Sequence, residues 1–308
     1  MKRICFSALL CAAVSAFMLS AVGTTAVREL AVDDVTSARD AAMGGASESI
    51  IDDPNAIYIN PALMPMIMRS GISFSADYTA FGGYRGTAAL TVRDAENAWA
   101  FGLGAKGDYT VGVGQYSDTD VHTGNFNYGS FTGIAGAAFD LNDNYIGASV
   151  KYYHTLLDAT ESAWGVALNA AFSRSLFIKS LQLAVVLRNL GVYYHNTLFD
   201  LDSRIIVGLG FKSEGKFAVG LTFSYALPSS DVDFALGGEY KVVSFNGKPA
   251  SNEDPISQGV FIRAGLNKTA PSIGAGIAFW HVRIDYALYT DSYSLTGLNH
   301  TVGVDVLF

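Results

Sequence analysis

Lys216-Phe-Ala-Val-Gly-Leu-Thr-Phe-Ser-Tyr-Ala-Leu227 carries a large apolar or aromatic side chain at every second position. Phe217, Val219, Leu221, Phe223, Tyr225 and Leu227 fall on one face of an extended chain. Lys216, Ala218, Gly220, Thr222, Ser224 and Ala226 fall on the other. Side chains of a strand point alternately to its two faces, so a period of two means a strand with one apolar side. Here the other side is small rather than charged. A soluble barrel turns its bulk inward and its polar groups outward; this asymmetry argues the reverse, with the bulky face towards lipid.

The pattern repeats along the chain. Trp164, Val166, Leu168 and Phe172 oppose Gly165, Ala167, Asn169 and Ala171. His300, Val302, Val304, Val306 and Phe308 oppose Asn299, Thr301, Gly303 and Asp305. About fourteen such segments run from Gly71–Ala80 to Asn299–Phe308, each near the length of a tilted membrane strand. Short connections at Asp94–Asn97, Asn142–Asp143 and Ser213–Gly215 would lie on the periplasmic side. Gly107–Tyr128 and Leu190–Ser203 read as long outer loops. Val243–Gln258 is long and polar yet falls on the periplasmic side, either as an insertion or as a miscounted hairpin. Aromatics near strand ends (Tyr78, Phe81, Tyr84, Tyr152, Tyr153, Tyr193, Tyr194, Trp280, Tyr289 and Tyr293) read as interface girdles.

Composition agrees. Charged residues are 16% of the 308, against about 25% in a soluble domain. Lys2-Arg3 followed by an apolar stretch to Val22 reads as a secretory signal peptide over residues 1–26. Cys5 and Cys11 both lie within it, so the mature chain has no disulfide or thiolate site. Loss of Lys2 and Arg3 takes the formal charge from -8 to -10, which argues against a nucleic-acid partner. No later apolar run is long enough for a transmembrane helix. A helix-free exported chain with an apolar surface spans a membrane by closing its strands, because lipid leaves no backbone group a partner.

Residues 27–70 do not alternate. Asp53 can cap a short helix with Pro54 at its first position, and Asn60-Pro61 repeats the arrangement. The result is a compact, kinked element of a size that suits a plug inside a barrel. The small inward faces of the strands leave volume, to be filled by protein or by an apolar ligand.

Ala41-Ala-Met-Gly-Gly-Ala46, Asp52-Asp-Pro-Asn-Ala56 and Asn60-Pro-Ala-Leu63 resemble the N-terminal hatch of the FadL superfamily of outer-membrane proteins. Arg188-Asn-Leu-Gly191 and Arg263-Ala-Gly265 also look familial. The likeness is greatest to the shorter PorV/PorQ-like branch and to spirochaetal relatives. It implies an all-β, fourteen-stranded antiparallel transmembrane barrel over residues 71–308, a luminal hatch over residues 27–70, and a place in the cell outer membrane. Asn60, Pro61, Ala62 and Leu63 carry over as the hatch motif. Phe308, after apolar residues at alternate positions, is similar to the C-terminal signal read by the barrel-assembly machinery. Known members of the family take up long-chain fatty acids, whereas PorV-like members serve secretion.

Gly102-Leu-Gly-Ala-Lys-Gly107 has the spacing of a dinucleotide loop but no helix pattern follows it. There is no zinc-protease or serine-hydrolase motif, and His122, His154, His195, His281 and His300 show no ligand spacing. The reading is therefore not an enzyme, with no cofactor: a channel for hydrophobic molecules, with outer-membrane lipid and a lipophilic ligand as partners. Alternatives are a secretion-associated or protein-tethering barrel and a purely structural or antigenic one. Arg188, Arg263 and Lys212 face the predicted lumen and could meet a ligand carboxylate. The competing expectation is that the arginines pair across the lumen with Asp77, Glu239 or Asp285, since buried charges are usually paired.

Overall fold

A computed structural model describes residues 36–79, 83–116, 122–156, 162–178, 180–195, 197–213, 216–227, 229–245, 258–291 and 294–308. The expected signal peptide, the first part of the expected hatch, Phe81, Tyr293, the side chain of His122 and most of the Val243–Gln258 connection lie outside the described residues.

Among the described residues, fifteen strands follow the N-terminal segment. They are β1 (Gly71–Tyr78), β2 (Gly83–Asp94), β3 (Trp99–Tyr116), β4 (His122–Asp140) and β5 (Asn144–Leu156). Next come β6 (Ser162–Ser175), β7 (Leu181–His195), β8 (Thr197–Asp200), β9 (Arg204–Ser213) and β10 (Phe217–Ala226). The last are β11 (Val232–Ser244), β12 (Gly259–Asn267), β13 (Ala270–Phe279), β14 (Val282–Asp291) and β15 (Ser294–Leu307). Each pairs antiparallel with its neighbour, and β1 pairs with β15 from Gly71↔Leu307 to Tyr78↔His300. The sheet thus closes on itself as a fourteen-stranded barrel and leaves no edge in lipid. β8 stands outside the closure as a short addition to the far end of β7, pairing Val192↔Asp200 through His195↔Thr197.

The faces divide as the alternation requires. Along β10, Ala218 is 2% exposed and Val219 42%; Thr222 is 6% and Phe223 51%. Bulky outward side chains on a closed barrel make sense against acyl chains. A ten-residue strand such as β10, at about 3.3 Å per residue and tilted by about 40°, rises about 25 Å, the height of the apolar band of such barrels.

Two expected loops are largely strand. β3 and β4 run on as a hairpin with Thr110↔Tyr128 and Val113↔Phe126 paired, through most of Gly107–Tyr128. β7 continues to His195 through the start of Leu190–Ser203, and β8 takes up more of it. Beyond the membrane both faces of a strand meet water, so alternation fades although the pairing persists. β11 and β12 pair directly, Lys241↔Phe261 among others, so Val243–Gln258 joins neighbouring strands at the barrel end that holds Gly71 and Leu307.

The segment before β1 holds helix α1 (Ala38–Ala42), helix α2 (Ala56–Ile59) and a 3-10 helix (Pro61–Met66). Helix α2 starts two residues later than the Asp53-Pro54 pattern implies. Asp53 Oδ1 instead accepts from the backbone N–H of Asn55 and from Asn55 Nδ2, forming a turn ahead of the helix. Asn60 does cap the next turn, its Oδ1 accepting from Ala62 N–H at 3.1 Å, with Pro61 first in the 3-10 helix.

Candidate functional site

Residues 36–67 lie inside the barrel and are almost wholly buried. Ser37 caps α1, and Ser272 Oγ on β13 donates to Ala42 O at 3.1 Å. The chain then crosses β12, β11, β10 and β9, and at each it meets a strand glycine. Gly265 and Gly237 face the backbone of Met43, Gly220 faces the carbonyl of Ala46, and Gly210 faces Ser49 and Ile50. Asn55 Nδ2 donates to Ser73 Oγ on β1 at 2.7 Å, and Tyr58 Oη to Ala88 O on β2 at 2.8 Å. The small inward residues thus admit protein: hatch backbone at Gly265, Gly237 and Gly220, and the Ser49 and Ile50 side chains at Gly210, occupy the space that a Cβ would need.

Three of the four motif residues, Asn60, Pro61 and Ala62, meet the wall on β5 and β6. Asn60 is fully buried, and its Nδ2 donates to Glu48 O at 2.7 Å and to Ser173 Oγ at 2.9 Å. It ties the two halves of the hatch to each other and to β6. Pro61 and Ala62 rest on Gly147 of β5. Leu63 packs with Ile57, Met64 and Ile67 in the apolar core beneath.

Ion pairs fasten this plug. Arg188 on β7 meets Glu48 Oε1 at 2.5 Å and donates to Ile59 O at 2.6 Å. Lys212 on β9 pairs with Asp52. Arg39 pairs with Asp52, with Asp53 at 3.3 Å and with Glu239 on β11 at 3.0 Å. Arg283 on β14 takes Asp53 at 2.7 Å, Asp285 at 3.1 Å and Asp305 at 2.5 Å. Arg263 on β12 stays with the wall, held by Glu239 at 2.6 Å and Asp285 at 2.8 Å. In a low-dielectric interior such pairs are strong only with this multiple coordination, and breaking one leaves a costly bare charge. Arg188, Lys212 and Arg263 therefore spend their charge on hatch and wall carboxylates. Asp285 and Glu239 are partners of Arg263, as one of the two expectations had it, whereas Asp77 meets Arg85 at 3.7 Å.

The hatch acids differ. Burial would raise the Asp52 carboxyl, but Arg39, Lys212 and Arg283 outweigh it and hold it well below the usual carboxylate range. Burial pushes the Asp40 carboxyl above its ordinary range, against a hydrogen bond from Ser47.

Arg39, Glu48, Asp52, Asp53 and Arg283 were absent from the sequence-derived candidates. Arg283 was legible, since it shares the inward face with Asp285 on either side of outward Ile284. The hatch residues carried no such signal, because an irregular segment has no period.

Further from the hatch the lumen wall is polar. Arg85 bonds Asp108 at 2.5 Å, which also accepts from Ser130 at 3.0 Å. Arg204 bonds Asp202 and Asp233, each at 2.8 Å. An apolar cluster of Tyr153, Ala163, Ala167, Tyr193 and Leu201 stands on the β5–β7 side.

Solved structures share this architecture. A Pseudomonas aeruginosa FadL homologue superposes with a TM-score of 0.62 at 13% identity, covering 89% of this chain and 99% of that one. The fold is that of the FadL-type barrels. The P. putida toluene transporter TodX gives 0.61 at 14% identity, covering 89% and 99%, and the CymD monoaromatic hydrocarbon channel 0.59 at 12%, covering 89% and 97%. At such identities the fold is what is shared. No family model and no curated protein sequence matches the chain. Closed barrel, apolar outer face and this shared FadL-type architecture together make it an outer-membrane β-barrel.

Proposed function

We propose that this barrel is an outer-membrane channel for hydrophobic small molecules, with residues 36–67 as its gate. One observation carries the reading: the lumen is stopped by a non-strand plug held through side-chain contacts, so it can leave without breaking the barrel's own ladder. TodX and CymD are described as a toluene transporter and a monoaromatic hydrocarbon channel, which supports this class of cargo. Long-chain fatty acids are the substrate we favour. When the Asn60–Leu63 turn shifts, Arg188 and Lys212 lose Glu48 and Asp52 and become available to a carboxylate head group. Arg263, paired within the wall, would be the weaker contact. Assembly would proceed through the C-terminal strand ending at Phe308.

Organic extracts of barrel purified in mild detergent, compared by mass spectrometry with an unrelated barrel handled identically, test this. Enriched fatty acids or another lipophile support the channel. Folded barrel with an empty lumen, and uptake unchanged by replacing both Arg188 and Arg263, count against it.

A second reading is a secretion-associated or protein-tethering barrel of the PorV-like kind. It is favoured by the ion-paired wall of Arg85–Asp108 and Arg204–Asp202–Asp233, which is a poor lining for a lipophile. A stable co-purifying protein and no extractable lipid would support it.

A further inference from the structure

Among the hatch carboxylates, Asp40 stands apart. Glu48, Asp52 and Asp53 each form an ion pair with a wall or hatch cation. The strand carboxylates packed around α1, namely Glu239, Asp285 and Asp305, are likewise taken by Arg39, Arg263 and Arg283. Asp40 is 8% exposed, and among the described residues its side-chain partner is a hydroxyl, Ser47 Oγ, which donates to Oδ1. Burial opposes its charge most; Arg188 and Arg39 attract the carboxylate while Asp53 repels it. Those two arginines are already held by Asp52, Asp53, Glu239 and Glu48.

Among the described residues, the ion-paired layer around the hatch holds no surplus of positive charge. The seven carboxylates Asp40, Glu48, Asp52, Asp53, Glu239, Asp285 and Asp305 face five cations, Arg39, Arg188, Lys212, Arg263 and Arg283. Adding Lys241, which feels Glu239, still leaves the acids one ahead among the described residues. A buried, unpaired charge is so costly that such a group neutralises instead.

We propose that Asp40 is held as the neutral acid while the hatch is seated, and that unseating the hatch releases its proton to water. Plug release is then linked to the loss of one proton. The only bond broken is the carboxyl O–H, and the carboxylate left behind is stabilised by hydration that the closed lumen denies it. The sign follows from linkage. A group whose proton is held more tightly in the seated state favours seating at low pH and weakens it as pH rises, by at most about tenfold per pH unit for one proton. Asp40 thus ties opening to the less acidic side. This rests on the seated hatch alone and stands whether the cargo is a lipophile or the barrel carries none.

The test uses the folded barrel in lipid discs. Infrared spectra across mildly acid to mildly alkaline pH should show a neutral-carboxyl carbonyl band that Asp40→Asn removes. Hydrogen exchange of residues 36–67, corrected for intrinsic rate, should accelerate with pH in the native protein. In Asp40→Asn, whose amide can still accept from Ser47, it should become flat. Asp52→Asn, whose carboxylate Arg39 and Lys212 keep ionised throughout this range, should keep the native slope. If Asp40→Asn does not seat its hatch, Ser47→Ala serves: it keeps the acid and should keep the slope with a displaced midpoint. No Asp40-dependent carboxyl band, or the same slope in Asp40→Asn as in the native chain, overturns the proposal.

Discussion

Gly147 of β5 lies against the backbone of Ala62, so close that a Cβ on Gly147 would stand 2.5 Å from the Ala62 nitrogen. Backbone meets backbone here, and neither side can yield by turning a rotamer. We expect Gly147→Ala to lift the Asn60–Leu63 turn from the wall at a cost of about 1–3 kcal/mol in hatch docking, the usual penalty for overpacking. Hydrogen exchange of residues 60–66 should rise while the barrel strands stay protected. Gly86→Ala is the control, because a Cβ at Gly86 meets nothing within 4 Å.

Arg188 and Glu48 join wall to plug at 2.5 Å. Removing one partner strands the other in a water-poor lumen. Arg188→Ala and Glu48→Ala are each expected to loosen the hatch by about 3 kcal/mol. The double variant should cost less than the sum of the two, and a double-mutant cycle on hatch exchange rates measures the difference. Strict additivity would mean that the pair contributes nothing as a pair.

Asp52 sets a different pH window from Asp40. Its carboxyl is held below the usual range. Its contribution is therefore fully present above the unfolded value of about 4 and is lost as pH falls through the lowered one. We expect hatch exchange to accelerate in strong acid in the native chain. Asp52→Asn should be looser at neutral pH and show less of that acid response.

Leu168 is 54% exposed and points outward from β6. Leu168→Arg should destabilise the barrel in bilayers by about 2–4 kcal/mol if this face meets mid-membrane lipid. Urea titration of folding into vesicles reads the change. A cost near zero would contradict the lipid-facing assignment.

How far the sequence went is clearest on β10 and on the hatch. The Lys216–Leu227 alternation already held the strand, its lipid face and its inward Ala218, Gly220 and Thr222, because a period of two is a local property of the chain. The same period carried the β3 and β4 strands only to the edge of the lipid band, since beyond it no solvent difference separates the two faces. Asn60-Pro61 was legible as a cap for the same local reason.

What fills the lumen was another matter. Whether Gly220 and Gly265 lined an open space or received Ala46 and Met43 depended on where an aperiodic segment came to rest. That Arg188 meets Glu48, that Arg283 meets Asp53, and that Asp40 pairs with no cation among the described residues are relations between residues far apart in the chain. Alternation says only which side chains point inward; the closure of β1 on β15 and the course of the hatch across the strands choose their partners. The charges of the lumen are the same in both views, but only the folded arrangement sets which are paired and which one is left over.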